Sequence, residues 1–367
     1  MFQFSQGKHT TQGHKGIPEG HFEEEQGRSG FYGPVSHLIK PKPSTRWTAI
    51  DGPLRPHMYD VPAMDRNWGQ NQRMFYNQDV TISNLWEKKT QQTLETAFRN
   101  ADGDLVYFCH SGLGQILTEY GLLEFRKGSY IMIPKCVTHS FYFGQDTNFL
   151  VIESKTSSFR EPDRGMVGKN AFYDLAALVK PDLAALKIFI DQKKSNVTKV
   201  RVVREGQPTL FTYAEDIYDT VGWKGDLWPY TLHVDDLMPM ISARVHLPPS
   251  AHTTFVARGF VICTFLPRPL ESDADALKVP FYHQNMDYDE VLFYHDGNFF
   301  SRDNLKAGMI SLHPAGFPHG PHPKAVKNIG GKTHTDEYAV MIDTWSNLKI
   351  DQGLDPVELK EYWASWK

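Results

Sequence analysis

The chain has 367 residues, 40% hydrophobic and 22% charged, with 39 Lys and Arg against 43 Asp and Glu for a net charge of −4. At roughly 150 residues per domain it has room for more than one core. No basic run points to nucleic acid, and no stretch of about 18 apolar residues could span a membrane. Cys109, Cys136 and Cys263 make neither a disulfide framework nor a Cys-based zinc site. The opening MFQFSQGKHTTQGHKG lacks the apolar core of a signal peptide, so a cytoplasmic location is expected.

In chain order, residues 1–60 mix Gly, Pro, Glu and His without a helix or strand period. They read as an extended arm laid over a core, since Phe22, Phe31, Tyr32, Leu38 and Trp47 argue against a disordered tail. The runs Gln115–Leu117, Tyr130–Ile133, Phe149–Glu153 and Phe260–Phe265 are short, apolar or alternating, and bounded by turn residues, which predicts strands. Asp182–Gln192 follows Pro181 with helical spacing of apolar residues. At the C-terminus, Asp355 as N-cap, Pro356 as first residue and Glu358 as the partner of a capping box predict a helix. It would carry Leu359, Tyr362, Trp363 and Trp366 on one face.

The strongest organising feature is an internal repeat. FRNADGDLVYFCHSG at 98–112 overlays HQNMDYDEVLFYHDG at 283–297 without a gap. Asn100, Asp102, Asp104 and Gly112 match Asn285, Asp287, Asp289 and Gly297. A second block follows each, GSYIMIPKCVTH at 128–139 and GMISLHPAGFPH at 308–319, both Gly-x5-Pro-x4-His. Such Gly-led strand pairs suit a barrel or jelly roll, and the blocks resemble the two motifs of the cupin superfamily. The resemblance implies an all-β-dominated fold: a bicupin, two jelly-roll β-barrels with an N-terminal extended arm and few helices. The expected division is 1–60 arm, 61–170 first barrel without metal, 171–235 connecting segment, 236–345 second barrel with a metal site, and 346–367 C-terminal helix.

The two halves differ where a cupin binds its metal. The second offers His283, Glu290 and His319, whereas the first has Phe98, Leu105 and His139 at the matched positions. His139 therefore reads as a packed or surface histidine. Two His and one carboxylate with open coordination positions form the ligand set of non-haem Fe(II) oxygenases, and can also hold Zn(II), Mn(II) or Ni(II). Asp287 and Asp289 lie between the ligands. Asp289 would point opposite to Glu290 in a strand, and both acids recur in the half without ligands, which suits a structural role. His313 could face the pocket. His322, just past the ligand turn, could orient a ligand from behind. His295 and His334 read equally well as surface residues.

With these blocks in place, the chain resembles the homogentisate 1,2-dioxygenase family over nearly its whole length. IPEGHFEEEQGR, GPVSHL, FRNADGD, YDTVGWKGDLWPY, RVHLPPSAHTTF, VPFYHQN, DEVLFYHDGNF and SLHPAGFPHGPHP carry the likeness. The resemblance implies Fe(II) held by His283, Glu290 and His319, with His313 near the substrate and an upstream catalytic histidine. His246 and His252 compete for that last role. It implies homogentisate and O2 as partners, maleylacetoacetate as product, a place in tyrosine and phenylalanine breakdown, and a trimeric or hexameric homo-oligomer. Arg244 and Arg302 are candidates to meet the substrate carboxylate. One departure stands out: the animal enzymes have six residues from the ligand His to the Glu, and this chain has seven, to be absorbed by a bulge beside the site. The chain is also shorter than the animal enzymes and looks more like the bacterial members. The other readings are a dioxygenase of gentisate or another hydroquinone, a metal-dependent isomerase, and a non-catalytic binding bicupin.

Overall fold

The computed structural model describes residues 4–91, 94–278, 280–299, 305–328 and 331–367. The chain divides into two compact units. One comprises Asp65–Met238 with Lys349–Gly353; the other comprises the residues up to Met64 together with Pro239–Leu348 and Leu354–Lys367. Each is built on mainly antiparallel sheets, and the described residues contain only two α-helices, Leu183–Lys193 and Pro323–Asn328. No described helix is long and apolar enough to cross a membrane.

The first unit faces a seven-stranded sheet with a six-stranded one. Strands Asp104–Ser111, Ser129–Ile133 and Thr147–Ser154 turn alternate side chains inward, namely Leu105, Tyr107 and Cys109, Ile131 and Ile133, and Phe149 and Val151. They meet Ile116, Leu123, Phe125 and Phe143 of the other sheet. This period of two is what places one face of each strand in the core. Residues 171–235, expected as a connecting segment, instead supply strands Lys199–Arg204, Gln207–Thr212 and Tyr230–His233 to these sheets. Helix Leu183–Lys193 forms where expected, with the Asp182 carboxylate accepting from Ala185 N at 3.0 Å as its N-cap.

The second unit contains a six-stranded sheet, running from Thr253–Ala257 through Phe260–Phe265, Asp336–Thr344, Asp289–Asn298 and Ile310–His313 to His57–Tyr59. Beside it is a three-stranded sheet of Tyr282–Asn285, Phe22–Gly27 and Val35–Lys40. The arm is thus not irregular. Its FEEEQG segment is a strand paired in parallel with Tyr282–Asn285, Glu25 opposite His283. Three consecutive glutamates oppose strand formation by propensity, and their tertiary partners override it. Glu24 pairs with Lys40 on one face, and Glu23 and Glu25 meet His14 on the other.

The expected C-terminal helix does not form. The segment makes two short 3₁₀ turns, Gln352–Val357 and Tyr362–Trp366. Glu358, the presumed capping partner, instead receives His57 Nδ1 at 2.7 Å and Arg55 Nη2 at 2.9 Å, and Leu359 N donates to Met58 O. Tyr362 and Trp366 are buried with Met58, Tyr294 and Met309, so packing and tertiary hydrogen bonds outweigh local helix propensity.

The sequence repeat recurs in hydrogen-bond register. Leu105 pairs with Ile133 as Glu290 pairs with His313. Phe98 pairs with His139 as His283 pairs with His319. Cys136 N donates to Asn100 O at 2.8 Å, and Gly316 N to Asn285 O at 2.7 Å. Gly112 and Gly297 both sit at positive φ, 114° and 89°. A Cβ there would come within 2.3 Å of Thr147 Oγ1 or 2.0 Å of Asp336 O, so only glycine fits.

Candidate metal centre

The site forms where strands Tyr282–Asn285 and Asp289–Asn298 meet Ile310–His313 and the turn leading to His319. His283 Nε2 lies 3.6 Å and His319 Nε2 3.4 Å from Glu290 Oε2, and the two imidazole centroids are 4.0 Å apart. All three residues are buried. Each imidazole is set by its own backbone: His283 Nδ1 donates to Phe281 O at 3.2 Å and His319 Nδ1 to Phe317 O at 3.0 Å. That tautomer leaves both Nε2 atoms as acceptors turned toward Glu290, and both are buried without a hydrogen-bond partner. Two buried basic nitrogens and a carboxylate oxygen, mutually wider apart than hydrogen bonds and otherwise unsatisfied, are the donor set a divalent cation satisfies. The residues therefore fit a bound metal.

Electrostatics agree with that set. Burial alone would raise the Glu290 carboxyl, but His319, His283 and His313 hold it well below the usual carboxylate range. Asp343, opposite Glu290 on the neighbouring strand, is driven the other way, first by burial and then by the Glu290 charge. Both causes favour its protonated form over the charged one. Burial lowers the His319 imidazole, which favours the unprotonated form a ligand needs.

His313 is placed behind the carboxylate. Its Nδ1 lies 2.8 Å from Glu290 Oε1, and its ring stacks on His319 at 4.4 Å. It thus holds one carboxylate oxygen and turns the other toward the imidazoles. Asp289 points away, as alternation requires, accepting from Ala315 N at 2.7 Å and Leu348 N at 2.6 Å. The strands carrying His283 and Glu290 show no bulge at either ligand and are joined by the bend Met286–Tyr288. There Met286 N bonds Gly27 O, and Asp287 accepts from Arg28 Nε at 2.8 Å and Ser29 N at 2.6 Å. His322 is fully buried against Trp366, ring centroids 4.3 Å apart, with Nε2 3.3 Å from Ser365 Oγ. His295 is buried rather than on the surface, and His334 is exposed.

The structure separates the two competing histidines. His246 lines a cavity of about 290 Å³ with His14, Glu25, Phe31 and His37. Its ring reaches the metal ligands through Phe281, which lies 5.9 Å from His246 and 5.1 Å from His283. His252 instead has Nε2 3.0 Å from Met240 O and packs on Phe265. His246 Nδ1 is 2.7 Å from Glu271 Oε1. Burial lowers the His246 imidazole below its usual value against the opposing pull of Glu271, which leaves a neutral ring with Nε2 as acceptor. Arg244 is mostly exposed and 3.5 Å from Asp273; Arg302 lies outside the described residues. Glu271 and Asp343 escaped sequence reasoning. Each meets its partner only through tertiary pairing, and no motif spacing ties Glu271 to a histidine 25 residues earlier.

Residues 39–234 match the family model described as homogentisate 1,2-dioxygenase N-terminal. A protein of Saccharolobus solfataricus, provisionally named a dioxygenase, is 30% identical over 94% of this chain and 92% of its own length. Homogentisate 1,2-dioxygenases of Rhodopseudomonas palustris and Drosophila melanogaster are 24% and 25% identical over 73% and 62% of this chain. The matches span 64% and 53% of those two enzymes. Among solved structures, a mutant of Bacillus subtilis oxalate decarboxylase aligns with a TM-score of 0.37 at 12% identity, over 85% of this chain and 82% of its own. Spanning both repeats and the arm, the sequence matches make this chain a member of the homogentisate 1,2-dioxygenase family.

Proposed function

We propose that the chain is an Fe(II)-dependent ring-cleaving dioxygenase that converts homogentisate and O2 to maleylacetoacetate, in tyrosine and phenylalanine breakdown. The observation that carries this reading is the convergence of His283, Glu290 and His319 with both Nε2 atoms unsatisfied. These three residues would hold the iron. When bound, Fe(II) supplies the one-electron chemistry that lets a spin-paired aromatic ring react with O2. His313 fixes the Glu290 carboxylate by its 2.8 Å hydrogen bond. His246, oriented by Glu271, takes the proton of a ring hydroxyl at Nε2, a role that suits its neutral state. Phe31 and Phe281, which contact His283 at ring distances of 5.4 and 5.1 Å and stand edge to face, give an apolar surface for an aromatic ring and exclude water from it. The assembly is a cytoplasmic homo-oligomer, a trimer or hexamer, and light scattering at micromolar concentration should show no monomer.

One observation favours a second reading. The described residues lining the cavity beside His246 include Glu25 but no Lys or Arg. A hydroquinone without a carboxylate arm would suit such a wall better than homogentisate or gentisate, because an unpaired buried carboxylate is costly. The deciding experiment is oxygen uptake by protein reconstituted anaerobically with Fe(II), given homogentisate, gentisate and methylhydroquinone in parallel. Uptake matched one-to-one by ring-opened product from homogentisate alone supports the first reading. Turnover of methylhydroquinone in preference moves the assignment to the second. No uptake with any of them, despite bound iron, overturns both.

A further inference from the structure

A second group of ligating side chains lies in the arm, separate from His283, Glu290 and His319. His14, Glu23 and His37 offer ligand atoms that all lie within 4.8 Å of one another. His14 Nδ1 is 3.0 Å from Glu23 Oε2, and His37 Nδ1 is 3.0 Å from Glu23 Oε1. Behind them, Glu25 Oε2 lies 2.8 Å from His14 Nε2 and 3.9 Å from His37 Nε2. His14 N also donates to both Glu23 oxygens, at 3.1 and 2.9 Å. We propose that His14, Glu23 and His37 form a second divalent transition-metal site, with Glu25 orienting the His14 imidazole.

Four observations carry this. First, each histidine has a ring nitrogen 3.0 Å from Glu23, His14 from Oε2 and His37 from Oε1, so an ion held by both oxygens of that carboxylate meets both rings. Second, His37 Nδ1 is buried yet makes no hydrogen bond of acceptable direction, although a carboxylate oxygen lies 3.0 Å away. A lone pair aimed at a common ion explains an approach that an N–H does not. Third, Glu23 and Glu25 are 3% and 7% exposed and each faces a ring nitrogen of His14; a divalent ion taking the place of the His14 proton balances both buried carboxylates. A carboxylate behind a ligating histidine is the usual support for such a ligand. Fourth, the cavity beside the cluster, lined by His14, Glu25 and His37, gives the ion a way in and room for a water ligand.

The position in the fold gives the site a purpose. His37 lies opposite Glu25, and Glu25 opposite His283, across three neighbouring strands. With strands about 4.8 Å apart, His37 and His283 stand roughly 10 Å from each other on one sheet face. An ion held there pins the arm to the strand that supplies the first ligand of the other centre. Without the ion, a proton on His14 bridges Glu23 and Glu25 in its place.

The test is Co(II) titration of the full chain stripped with chelator, counting bound ions by elemental analysis and visible d–d absorption. Wild type should take up two ions per chain, Glu290→Ala one, His37→Ala one, and the double variant none. Zn(II) should raise the unfolding temperature of Glu290→Ala but not of Glu290→Ala/His37→Ala. His37→Gln, with a weaker ligand of similar reach, guards against misfolding and should lower Co(II) affinity at least tenfold while its metal-free circular dichroism matches wild type. A count that His37→Ala and His37→Gln leave unchanged overturns the proposal, whatever Glu290→Ala does. A count that Glu290→Ala leaves unchanged overturns the assignment of the other centre only.

Discussion

The two halves of the repeat show how one fold is kept with and without a metal centre. His139 and His319 occupy the same place, and each gives its Nδ1 proton to the carbonyl two residues earlier, Val137 O at 3.3 Å and Phe317 O at 3.0 Å. They differ at Nε2. In the first barrel Tyr107 Oη lies 3.2 Å from His139 Nε2 and donates to it. In the second, Leu292 stands at the position of Tyr107, and His319 Nε2 turns to Glu290 unsatisfied. The other ligand positions become Phe98 and Leu105, and the position of His313 becomes Ile133. The first barrel has thus replaced a polar cluster by an apolar one and capped the remaining imidazole with a phenol. Among the described residues, neither potential metal cluster lies in that half. The lesson is that the barrel needs only the backbone register, and the centre is a separate set of side chains placed on it.

The largest expected effect comes from making the second barrel like the first at a single ligand. Glu290→Leu copies Leu105. It removes the carboxylate that faces the two Nε2 atoms and that lies 2.8 Å from His313 Nδ1. Oxygen uptake should fall by about 1,000-fold or more, on the scale of losing a central charged group, and the metal count should fall with it. The fold should persist, since Leu105 shows that the register tolerates the side chain. Retained activity in a metal-depleted Glu290→Leu protein would break the comparison.

The next effect belongs to the barrel without ligands. His139 is fully buried, and burial lowers its imidazole from the usual 6.5 to about 4, against a weaker opposing bond to Val137 O. The folded state therefore binds this proton less tightly than the unfolded chain. Its contribution to stability is complete above pH 6.5 and is lost as pH falls from there to about 4. The span corresponds to about 3 kcal/mol. His139→Phe should remove that portion of the acid sensitivity, read as the change in urea midpoint between pH 7 and pH 4. An unchanged pH slope would show that another group destabilises the protein in acid.

Legibility from sequence followed the same line. The repeat was readable because its blocks keep their spacing, with Asn, Asp, Gly, Pro and His at points where backbone geometry demands them. The matched positions then showed which half could hold a metal. The arm strand was not readable, because Glu23, Glu24 and Glu25 are tolerated there only through His14 and Lys40. Nor was the C-terminal segment: Asp355, Pro356 and Glu358 carry a helix signal, but Glu358 is taken by His57 and Arg55, from 300 residues away in sequence. Glu271 and the placing of His246, rather than His252, beside the cavity depend on loop paths that leave no period in the chain.

The residues that support the centre should matter less than its ligands. His313→Ile copies Ile133, and should weaken metal affinity by about 10–100-fold, measured by competition with a chelator. Glu271→Gln replaces the carboxylate facing His246 Nδ1 with an amide and should lower kcat by about tenfold with little change in KM, because it acts through the histidine rather than on substrate. Its metal count should stay at the wild-type value. If Glu271→Gln loses metal instead, His246 belongs to the scaffold of the centre and not to proton transfer.

The smallest effect tests the part the two halves share. Asp104 accepts from Lys135 N at 2.7 Å and Phe159 N at 2.9 Å. Asp289, its counterpart, accepts from Ala315 N at 2.7 Å and Leu348 N at 2.6 Å. Burial raises both carboxyls above the usual value, and in both the same pair of backbone bonds pulls back. Asn can accept from one N–H through its carbonyl, but turns its amide donor toward the other. Each Asp→Asn change should therefore cost about 1–2 kcal/mol, the scale of one buried hydrogen bond lost. The two costs should be equal within about 0.5 kcal/mol and additive in the double variant, because the sites share no partner. Asp289→Asn should do this without lowering the metal count, although Asp289 is the immediate neighbour of Glu290. A cost confined to Asp289, or a metal lost with it, would mean that the second barrel has drawn this acid into its centre and that the two halves no longer share it as scaffold.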